Sequence, residues 1–281
     1  DKDAIRIGRD IMATLNIKSS HEFTPAKPPA YNPDELLGIL PSDPKHQLDM
    51  YEVLARIIDD SDLDEFKSLY GKTLITGFAH IHGKEVGVIA NQGVLFSESA
   101  IKASHFIQLC NQRNIPIVYF MNITGFMVGK DYEANGIVKN GSKMINAVAN
   151  AKVPQFTIVV GSAYGAGYYA MCGKPLDPTY IASWPASKTA IMGPDQAAGV
   201  LSLVRKESLA KEGKDFTPED EEEFQKPIKA IFEKQASAYY TSSKLFDDGL
   251  LDPRQTRDTL GFLLNVCPVS DEQTKYGVFR M

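Results

Sequence analysis

The sequence is poor in the residues that build disulfide frameworks and zinc sites. It contains three cysteines and five histidines among 281 residues. Disulfide scaffolds and cysteine-rich zinc sites use paired, closely spaced cysteines. The cysteines here, Cys110, Cys172 and Cys267, are odd in number, far apart and set in apolar or helical sequence. We therefore interpret them as buried thiols in a reducing compartment, and we expect no metal in this chain.

The sequence also lacks an excess of basic residues and any long apolar run. The formal net charge is −5, and the longest run of charges, residues 219–223, is acidic. A nucleic-acid-binding chain is expected to carry a basic face, and a membrane-spanning helix needs about 20 consecutive apolar residues. The charged amino end, residues 1–10, has no signal-peptide core. We therefore expect neither nucleic acid nor a membrane as a partner.

What is present indicates one α/β core domain with extensions. Hydrophobic residues make up 43% and charged residues 23%, the balance of a soluble globular protein. The opening residues have helical periodicity, and the chain looks like one cut from something longer. A polar stretch with four prolines, residues 19–33, separates this first helix from the main domain and is interpreted as a linker.

The main domain shows a hairpin followed by strands and helices in alternation. Residues 73–81 and 85–91 are predicted strands, joined by His82-Gly83-Lys84. The other predicted elements are helix 49–58, helix 97–112 capped by Ser97, strand 115–120, helix 133–151, strand 155–160, helix 164–172, strands 180–184 and 189–192, helix 194–205 and a helical tail. This order predicts a spiral of β-β-α units. A dinucleotide-binding fold is not predicted, because the glycines at 161, 165 and 167 have the wrong spacing for a pyrophosphate turn.

Two glycine-bearing turns, Thr124-Gly125-Phe126 and Gly165-Ala166-Gly167, follow neighbouring predicted strands. Small residues that end a strand and open a helix leave backbone N–H groups unpaired and let a ligand oxygen approach them. Such donors can bind an oxyanion, and one of them is typically worth about 10²–10³ in rate. Close packing of a helix against a strand also needs small residues and stays the alternative explanation.

Side chains suited to metal or acid–base chemistry are few near these turns. His80 and His82 alternate along a predicted strand, so they would share a face and could imitate a metal pair. We interpret them as strand-surface histidines because no carboxylate or cysteine nearby completes a site. The carboxylates near the turns are Glu98, Asp131 and Glu133. Because of these carboxylates, a hydratase that uses carboxylates as general acid and base stays an alternative function.

Specific strings of residues surround the two turns and continue to the end of the chain. They are residues 93–100 (GVLFSESA), 122–129 (NITGFMVG), 164–168 (YGAGY) with 171–173 (MCG), 192–193 (MG) with 196–198 (QAA), 246–249 (FDDG) with 252–253 (DP), and 276–281 (YGVFRM). Together they resemble the methylcrotonoyl-CoA carboxylase β-subunit family of biotin-dependent acyl-CoA carboxyltransferases, essentially from end to end.

This resemblance implies a fold and a division into domains. The fold is the crotonase-like β-β-α superhelix of the α/β class, with a helical C-terminal tail. Residues 1–18 are expected to be the last helix of an N domain, residues 19–45 a linker, and residues 46–281 the carboxyltransferase C domain.

The resemblance also implies roles for the two turns. In this family their backbone amides are thought to form an oxyanion hole for the ureido carbonyl of carboxybiotin. That role would fall to Ala166 and Gly167, with Gly125 and Phe126 as the neighbouring wall. The residues expected to contact the cofactor are Thr124, Gly165 and Tyr168. Relatives that act on propionyl-CoA have Gly-Ala in place of Ala166-Gly167, an exchange that backbone donors should tolerate.

The implied reaction transfers CO₂ from carboxybiotin to the γ-carbon of 3-methylcrotonoyl-CoA, giving 3-methylglutaconyl-CoA in leucine degradation. The biotin nitrogen takes the γ-proton, so no side-chain base is required. The thioester oxygen binds on the N domain of another subunit, and this chain is therefore expected to be inactive alone. Geranyl-CoA and propionyl-CoA are the alternative substrates.

The resemblance further implies partners and a location. Biotin would be carried on an α subunit, and the β subunits would form dimers within a hexamer. The location would be the mitochondrial matrix in a eukaryote and the cytoplasm otherwise. Two other functions stay open, namely an enoyl-CoA hydratase or isomerase that uses Glu98 or Glu133, and a non-catalytic assembly module suggested by the long helical tail.

Overall fold

A computed structural model of the chain describes residues 2–14, 25–41, 48–269 and 276. The strands are β1 (Asp64–Glu65), β2 (Leu74–Ile81), β3 (Lys84–Asn91), β4 (Ile117–Ile123), β5 (Gln155–Tyr164), β6 (Tyr180–Ser183) and β7 (Lys188–Ala190). The α-helices are α1 (Lys2–Thr14), α2 (Leu36–Ile39), α3 (Met50–Leu54), α4 (Ser97–Gln112), α5 (Lys130–Ala134), α6 (Ile137–Asn150), α7 (Gly165–Ala170), α8 (Pro194–Lys211), α9 (Pro218–Ala236), α10 (Ala238–Ser243) and α11 (Thr256–Val266). Short 3₁₀ helices occupy Pro33–Glu35, Asp59–Ser61, Lys174–Leu176 and Pro253–Gln255.

The described strands form one mixed sheet in the order β1-β2-β3-β4-β5-β6, and β7 pairs with the end of β5. The pairs β1–β2 and β2–β3 are antiparallel, whereas β3, β4, β5 and β6 run parallel. The predicted hairpin is confirmed. Its turn consists of His82 and Gly83, both with positive φ (+50° and +74°), as a two-residue turn that follows the twist of the strands requires.

The position of His82 in this turn corrects the prediction that the two histidines share a strand face. His80 lies on β2 and is exposed, but His82 belongs to the turn and does not share a strand face with it. The His82 Nε2 lies 2.9 Å from the Asp258 carboxylate on α11. His82 therefore joins the hairpin to the C-terminal helix.

The sheet is buried on both faces. Along β4, Tyr119 and Met121 face a cluster formed with α4 and α6, while Phe120 faces a cluster formed with α3 and α11. Successive side chains of a strand point to opposite faces, so a strand buried on both sides has a continuous apolar sequence. This arrangement explains the apolar run of β4 and fixes its end between two packed layers.

Two predicted helices differ in the structure. The helix predicted at 49–58 ends at Leu54, and Tyr51 in its first turn is 44% exposed. Tight turns beyond Leu54, such as Ile57 N–H to Leu54 O, bring the following apolar side chains into the core without a continuous helix. The helix predicted at 133–151 is two helices, α5 and α6, because Gly136 takes a left-handed conformation (φ +86°) between them.

The predicted helical cap at Ser97 is wrong in its position. The helix begins at Ser97, so the capping position belongs to Phe96, and no side chain provides a capping hydrogen bond. In the helical tail, Thr217 and Asp220 form a reciprocal capping box at the start of α9. The start of α9 is therefore capped by side chains, whereas that of α4 is not.

A buried ion pair holds the C-terminal helix to the hairpin. Arg257 of α11 lies 2.6 Å from Asp59, and both side chains are more than nine-tenths buried. Asp59 also accepts hydrogen bonds from the backbone N–H groups of His82 and Gly83. Burial opposes ionisation, but the hydrogen bonds from Gly83 and Arg257 hold the pKa of Asp59 below its ordinary value. Arg257 also donates to the carbonyl of Lys27 and so fixes this part of the predicted linker.

The cysteine prediction is confirmed for two of the three residues. Cys110 and Cys172 are buried free thiols, and Cys267 is partly buried. In the described part of the chain, no group of three or more His, Cys, Asp or Glu side chains could hold a metal ion. The same residues include no helix that is long and apolar enough to cross a bilayer. Parts of the predicted domains lie outside the described ranges, namely residues 1 and 15–18 of the first helix, 19–24 and 42–45 of the linker, and 46–47, 270–275 and 277–281 of the C domain.

Candidate functional site

The two glycine-bearing turns lie side by side at one edge of the sheet. Strands β4 and β5 are parallel neighbours, so their carboxyl ends meet there. The first turn follows β4 and the second follows β5. A Cβ on Gly167 would lie 3.3 Å from the Cα of Gly125, which brings the two turns into van der Waals contact. The sequence prediction that the turns open on the same sheet edge is correct.

The first turn, Thr124-Gly125-Phe126, is held by backbone and packing contacts. Leu95 donates its N–H to the Gly125 carbonyl (3.1 Å) and accepts from the N–H of Met127 (2.9 Å). The Phe126 ring packs against Gly141 of α6, where a Cβ would lie 3.0 Å from the ring. Phe126 is therefore anchored by its side chain and offers its backbone, while Thr124 is exposed.

Open space adjoins Gly125. Its φ of +141° is a conformation that L-residues rarely adopt, and no heavy atom lies within 4 Å of the position a Cβ would occupy. A glycine that is required by its backbone conformation and also borders free space leaves its peptide groups accessible to a ligand. The first turn thus combines a fixed backbone with an unfilled volume.

The second turn forms the start of helix α7. Gly165 has a φ of +55°, and a Cβ there would lie 3.0 Å from the Ile191 carbonyl oxygen, so both conformation and space favour glycine. The first backbone N–H groups of an α-helix have no acceptor within the helix. The residue before the helix, Tyr164, provides no side-chain cap. Ala166 is exposed, and its amide stands in the uncapped first turn of α7.

Packing alone requires a small residue at Gly167. A Cβ on Gly167 would lie 2.6 Å from Cγ1 of Ile123, closer than real side chains approach. The alternative explanation from the sequence, close packing of a helix on a strand, therefore applies to this position. The features that point to a ligand are instead the exposed Ala166, the uncapped start of α7 and the space beside Gly125.

The side chain of Tyr168 is occupied by contacts within the protein. Its hydroxyl accepts from the backbone N–H of Lys174 (3.0 Å) and donates to the carbonyl of Phe246 (3.3 Å). Its ring also lies against Gly173, where a Cβ would be 2.6 Å from the ring. These contacts fasten α7 to the C-terminal loop. A contact between Tyr168 and the cofactor stays a prediction, and any such contact would involve the ring or the backbone.

Ionisable groups beside the second turn are held neutral. Burial raises the pKa of Tyr164 and of Tyr168, and it raises the pKa of Cys172 to about 12. None of these three groups would act as a base near neutral pH. The carboxylates considered from the sequence, Glu98, Asp131 and Glu133, are exposed. The two turns are therefore suited to donating hydrogen bonds to a developing negative charge rather than to removing a proton.

One residue that connects the turns was missed from the sequence. The Asn122 side-chain oxygen accepts a hydrogen bond from the backbone N–H of Ser162 (3.0 Å), joining β4 to β5 just before both turns. The available signal was a polar residue inside the apolar run of β4.

Known proteins are similar to this chain in sequence and in fold. Residues 1–275 match the Carboxyl transferase domain family. The chain is 50% identical over 286 residues to the mitochondrial methylcrotonoyl-CoA carboxylase β chain of Dictyostelium discoideum, covering 100% of this chain and 49% of that protein. The crystal structure of the P. aeruginosa geranyl-CoA carboxylase β subunit has a TM-score of 0.85 and 41% identity, covering 98% of this chain and 53% of that one.

A third relative is the crystal structure of transcarboxylase 12S, described as a hexamer with hydrolysed methylmalonyl-CoA bound. It has a TM-score of 0.80 and 29% identity, covering 94% of this chain and 51% of that one. The expectation of a crotonase-like α/β fold is confirmed by these structures together with the observed order of elements. The chain spans about half the length of the relatives it matches.

Proposed function

Because this chain belongs to the Carboxyl transferase domain family, we propose that it supplies one half of the active site of a biotin-dependent acyl-CoA carboxylase. The observation that carries the proposal is the pair of turns at the ends of β4 and β5. They lie together, border open space and are flanked by tyrosine and cysteine side chains that stay neutral. Such a site suits a reaction in which negative charge develops on an oxygen and no side-chain base takes part.

The backbone N–H groups of Ala166 and Gly167 are the proposed oxyanion hole. Their place in the uncapped first turn of α7 supports this role, because such N–H groups have no acceptor in their own helix and the helix dipole favours negative charge there. Gly125 and Phe126 form the neighbouring wall, and the open space beside Gly125 fits a planar ring that approaches the backbone closely. The remaining residues that we propose to contact the cofactor are Thr124, Gly165 and Tyr168.

Biotin, when bound, supplies the carboxyl group and the nitrogen that takes the substrate proton. This chain's own residues donate to the ureido oxygen and keep the turn rigid. Leu95 fixes the first turn by two backbone hydrogen bonds, and the packing of Gly167 on Ile123 fixes the second against it. Rigid placement matters because a donor stabilises the transition state only if it needs no rearrangement when charge develops.

The proposed substrate is 3-methylcrotonoyl-CoA, carboxylated at the γ-carbon to 3-methylglutaconyl-CoA in leucine degradation. The relative that is 50% identical is named for this substrate, whereas the geranyl-CoA carboxylase is 41% identical. Geranyl-CoA is the second candidate because the geranyl-CoA carboxylase β subunit has a closely similar fold. The thioester oxygen would bind to the half of the relatives' length that this chain does not cover.

The proposed partners are further β subunits and an α subunit that carries biotin. The hexamer described for transcarboxylase 12S supports a β-subunit hexamer. The Dictyostelium relative is named mitochondrial, which supports the mitochondrial matrix as the location if the chain is eukaryotic. In a prokaryote the proposed location is the cytoplasm.

Carboxylation of a panel of acyl-CoA thioesters tests this function. A β subunit of the relatives' full length that contains this sequence, here called the intact subunit, is assembled with a biotin-carrying α subunit and supplied with ATP and labelled bicarbonate. We expect label in the acyl-CoA product, with the highest kcat/KM for 3-methylcrotonoyl-CoA, lower values for geranyl-CoA and propionyl-CoA, and no label with an α subunit that lacks biotin.

Two outcomes would contradict the proposal. One is hydration or isomerisation of an enoyl-CoA by the intact subunit without biotin or ATP. The other is an assembled complex that transfers no label to any of the three thioesters. The 281-residue chain assayed by itself is expected to transfer no label, because only one half of the proposed site lies within it.

A further inference from the structure

Strand β5 leaves its regular pairing with β4 immediately before the second turn. Met121 pairs with Val159, and Ile123 pairs with Ala163, so one residue of β4 lies opposite three residues of β5. Before this bulge β5 pairs with β6, and from Ser162, the last residue of the bulge, β5 pairs with β7. The bulge therefore redirects the strand that leads into Gly165-Ala166-Gly167. Bulges of this kind commonly re-aim the chain beside functional sites.

Asn122 is the β4 residue that lies within this bulge. Its side-chain oxygen accepts a hydrogen bond from the backbone N–H of Ser162, at 3.0 Å and across 40 residues of sequence. This bond connects the two strands where the regular ladder is interrupted. One short side chain thus joins the strand that ends in the first turn to the strand that ends in the second.

Gly161 provides the space for that side chain. A Cβ on Gly161 would overlap the side-chain oxygen of Asn122 and lie 2.9 Å from its Cγ. The third-nearest atom is the Cβ of Asn122 at 3.5 Å, so nothing apart from Asn122 makes close contact there. A methyl group at 161 would therefore displace the amide of Asn122, and it would be accommodated if that amide were absent.

We propose that Asn122 is a positioning residue that sets the relative placement of the two turns, with Gly161 as the space it requires. This inference rests on the proposed function, because it assigns Asn122 an effect on the oxyanion hole. The second turn follows Ser162, whose backbone N–H is bonded to Asn122, by only a few residues. Gly125 of the first turn lies three residues beyond Asn122. A shift of the bulge would move the backbone N–H groups of Ala166 and Gly167 relative to the wall formed by Gly125 and Phe126.

Kinetics of single and double variants of the intact subunit test the inference. Asn122→Ala and Gly161→Ala should each lower kcat by about 10- to 100-fold, because a misplacement of about 1 Å can cost about 10²-fold. The KM for acyl-CoA should change less than about threefold. The double variant Asn122→Ala/Gly161→Ala should be no slower than Asn122→Ala, since the two changes act through one contact. Asn122→Asp retains the acceptor oxygen and should keep kcat within about fivefold.

Hydrogen–deuterium exchange provides a readout that does not depend on turnover. Peptides covering residues 160–167 should exchange at least about tenfold faster in Asn122→Ala and Gly161→Ala than in the parent subunit. Thr76→Val is the matched control, because it removes a hydrogen bond from the buried Thr76 hydroxyl on β2 to the Phe66 carbonyl, and β2 pairs with β1 and β3 and not with β4 or β5. This control should leave both kcat and exchange at 160–167 unchanged, even where it lowers the melting temperature as much as Asn122→Ala does.

Each outcome decides the inference separately from the proposed function. If the parent complex carboxylates acyl-CoA but Asn122→Ala and Gly161→Ala keep its kcat, Asn122 has no positioning role. The inference would also be overturned by strictly additive losses of kcat in the double variant, or by a loss of kcat in Asn122→Asp equal to that in Asn122→Ala. A parent complex without carboxyltransfer contradicts the proposed function, and the exchange of peptides 160–167 then still reports whether Asn122 holds the bulge.

Discussion

Gly167 on α7 faces Gly125 on the first turn so closely that a Cβ on Gly167 would lie 3.3 Å from the Gly125 Cα. This approach fixes the distance between the two walls of the proposed site. It also shows that the two glycines have different requirements. Gly167 needs to be small because Ile123 packs against it, whereas Gly125 has open space and needs its unusual backbone conformation.

Backbone donors alone should tolerate alanine at 167, but the packing of Ile123 on this position in the present chain should not, so Gly167→Ala should separate α7 from β4. The added methyl group would lie 2.6 Å from the Ile123 side chain, so the helix has to shift. We expect kcat for carboxyltransfer to fall about 10²-fold and the free energy of unfolding to fall by about 1–3 kcal/mol. Gly199→Ala on α8 is the matched control, because a Cβ there meets nothing within 4 Å. It should leave kcat unchanged and raise stability by about 0.5–1 kcal/mol. Equal kcat in the two variants would show that the close approach does not matter.

Gly125→Ala tests the first turn by another route. Gly125 and Gly249 have similar φ values, +141° and +152°, and a Cβ at either position meets nothing within 4 Å. Both alanine variants should therefore lose about 1–3 kcal/mol of stability through backbone strain. Only Gly125→Ala should also lower kcat, by at least about tenfold, because its methyl group enters the space proposed for the ligand. Steady-state kinetics and thermal unfolding of both variants check this, and a similar kcat in both would argue against a ligand beside Gly125.

The order of elements could be predicted from the sequence because local signals determine it. His82-Gly83 takes the two positive φ angles of a hairpin turn, and the apolar run of β4 reflects burial on both faces. Element ends were less predictable. The left-handed Gly136 divides a pattern that is periodic throughout, and hydrophobic periodicity alone does not reveal such a break. The division into residues 1–18, 19–45 and 46–281 stays a prediction.

The two turns of the candidate site could be predicted because glycine-bearing sequences follow each strand. Their exact relation could not, because it depends on contacts between distant residues. Asn122 and Ser162 are 40 residues apart, and the bulge they close extends β5 beyond the predicted end at residue 160 to Tyr164. Nothing in the local sequence of either strand indicates that one residue will lie opposite three. The roles of Ala166, Gly167 and the neighbouring site residues stay proposals.

Removal of the nearby carboxylates distinguishes carboxyltransfer from hydration. Glu98 and Glu133 are exposed on the elements next to the turns. In the proposed mechanism neither takes a proton, so Glu98→Gln and Glu133→Gln should each keep kcat for carboxyltransfer within about threefold. A hydratase that uses them as general acid or base would lose about 10²–10⁴-fold. Loss of that size in either variant would favour acid–base catalysis.

The two buried thiols predict how stability depends on pH in alkaline solution. Burial raises the pKa of Cys110 from 9.0 to about 12, so the folded thiol keeps its proton while the unfolded one loses it. The unfolded state binds fewer protons between pH 9 and 12, and stability therefore falls as pH rises through this range. One thiol contributes about 1.4 kcal/mol per pH unit.

Comparison of the slopes isolates this contribution from other groups that titrate in the same range. Urea unfolding under reducing conditions at several values between pH 9 and 11 should give a shallower loss of stability for Cys110→Ala than for the parent. The Cys172 thiol, whose pKa is also raised to about 12, should behave in the same way. Parallel slopes in parent and variant would mean that the folded thiol ionises as easily as the unfolded one.

The central claim is that backbone N–H groups of α7 stabilise the developing oxyanion, and replacement of single amides by esters tests it most directly. An ester at Ala166 or Gly167 removes one N–H and leaves the side chain in place. Tyr239 and Tyr240 are the matched controls, because α10 is also a six-residue helix without a side-chain cap. In the assembled intact subunit, we predict that kcat for carboxyltransfer falls about 10²–10³-fold with an ester at 166 or 167 and stays unchanged with one at 239 or 240. An unchanged kcat at both 166 and 167 would contradict the claim.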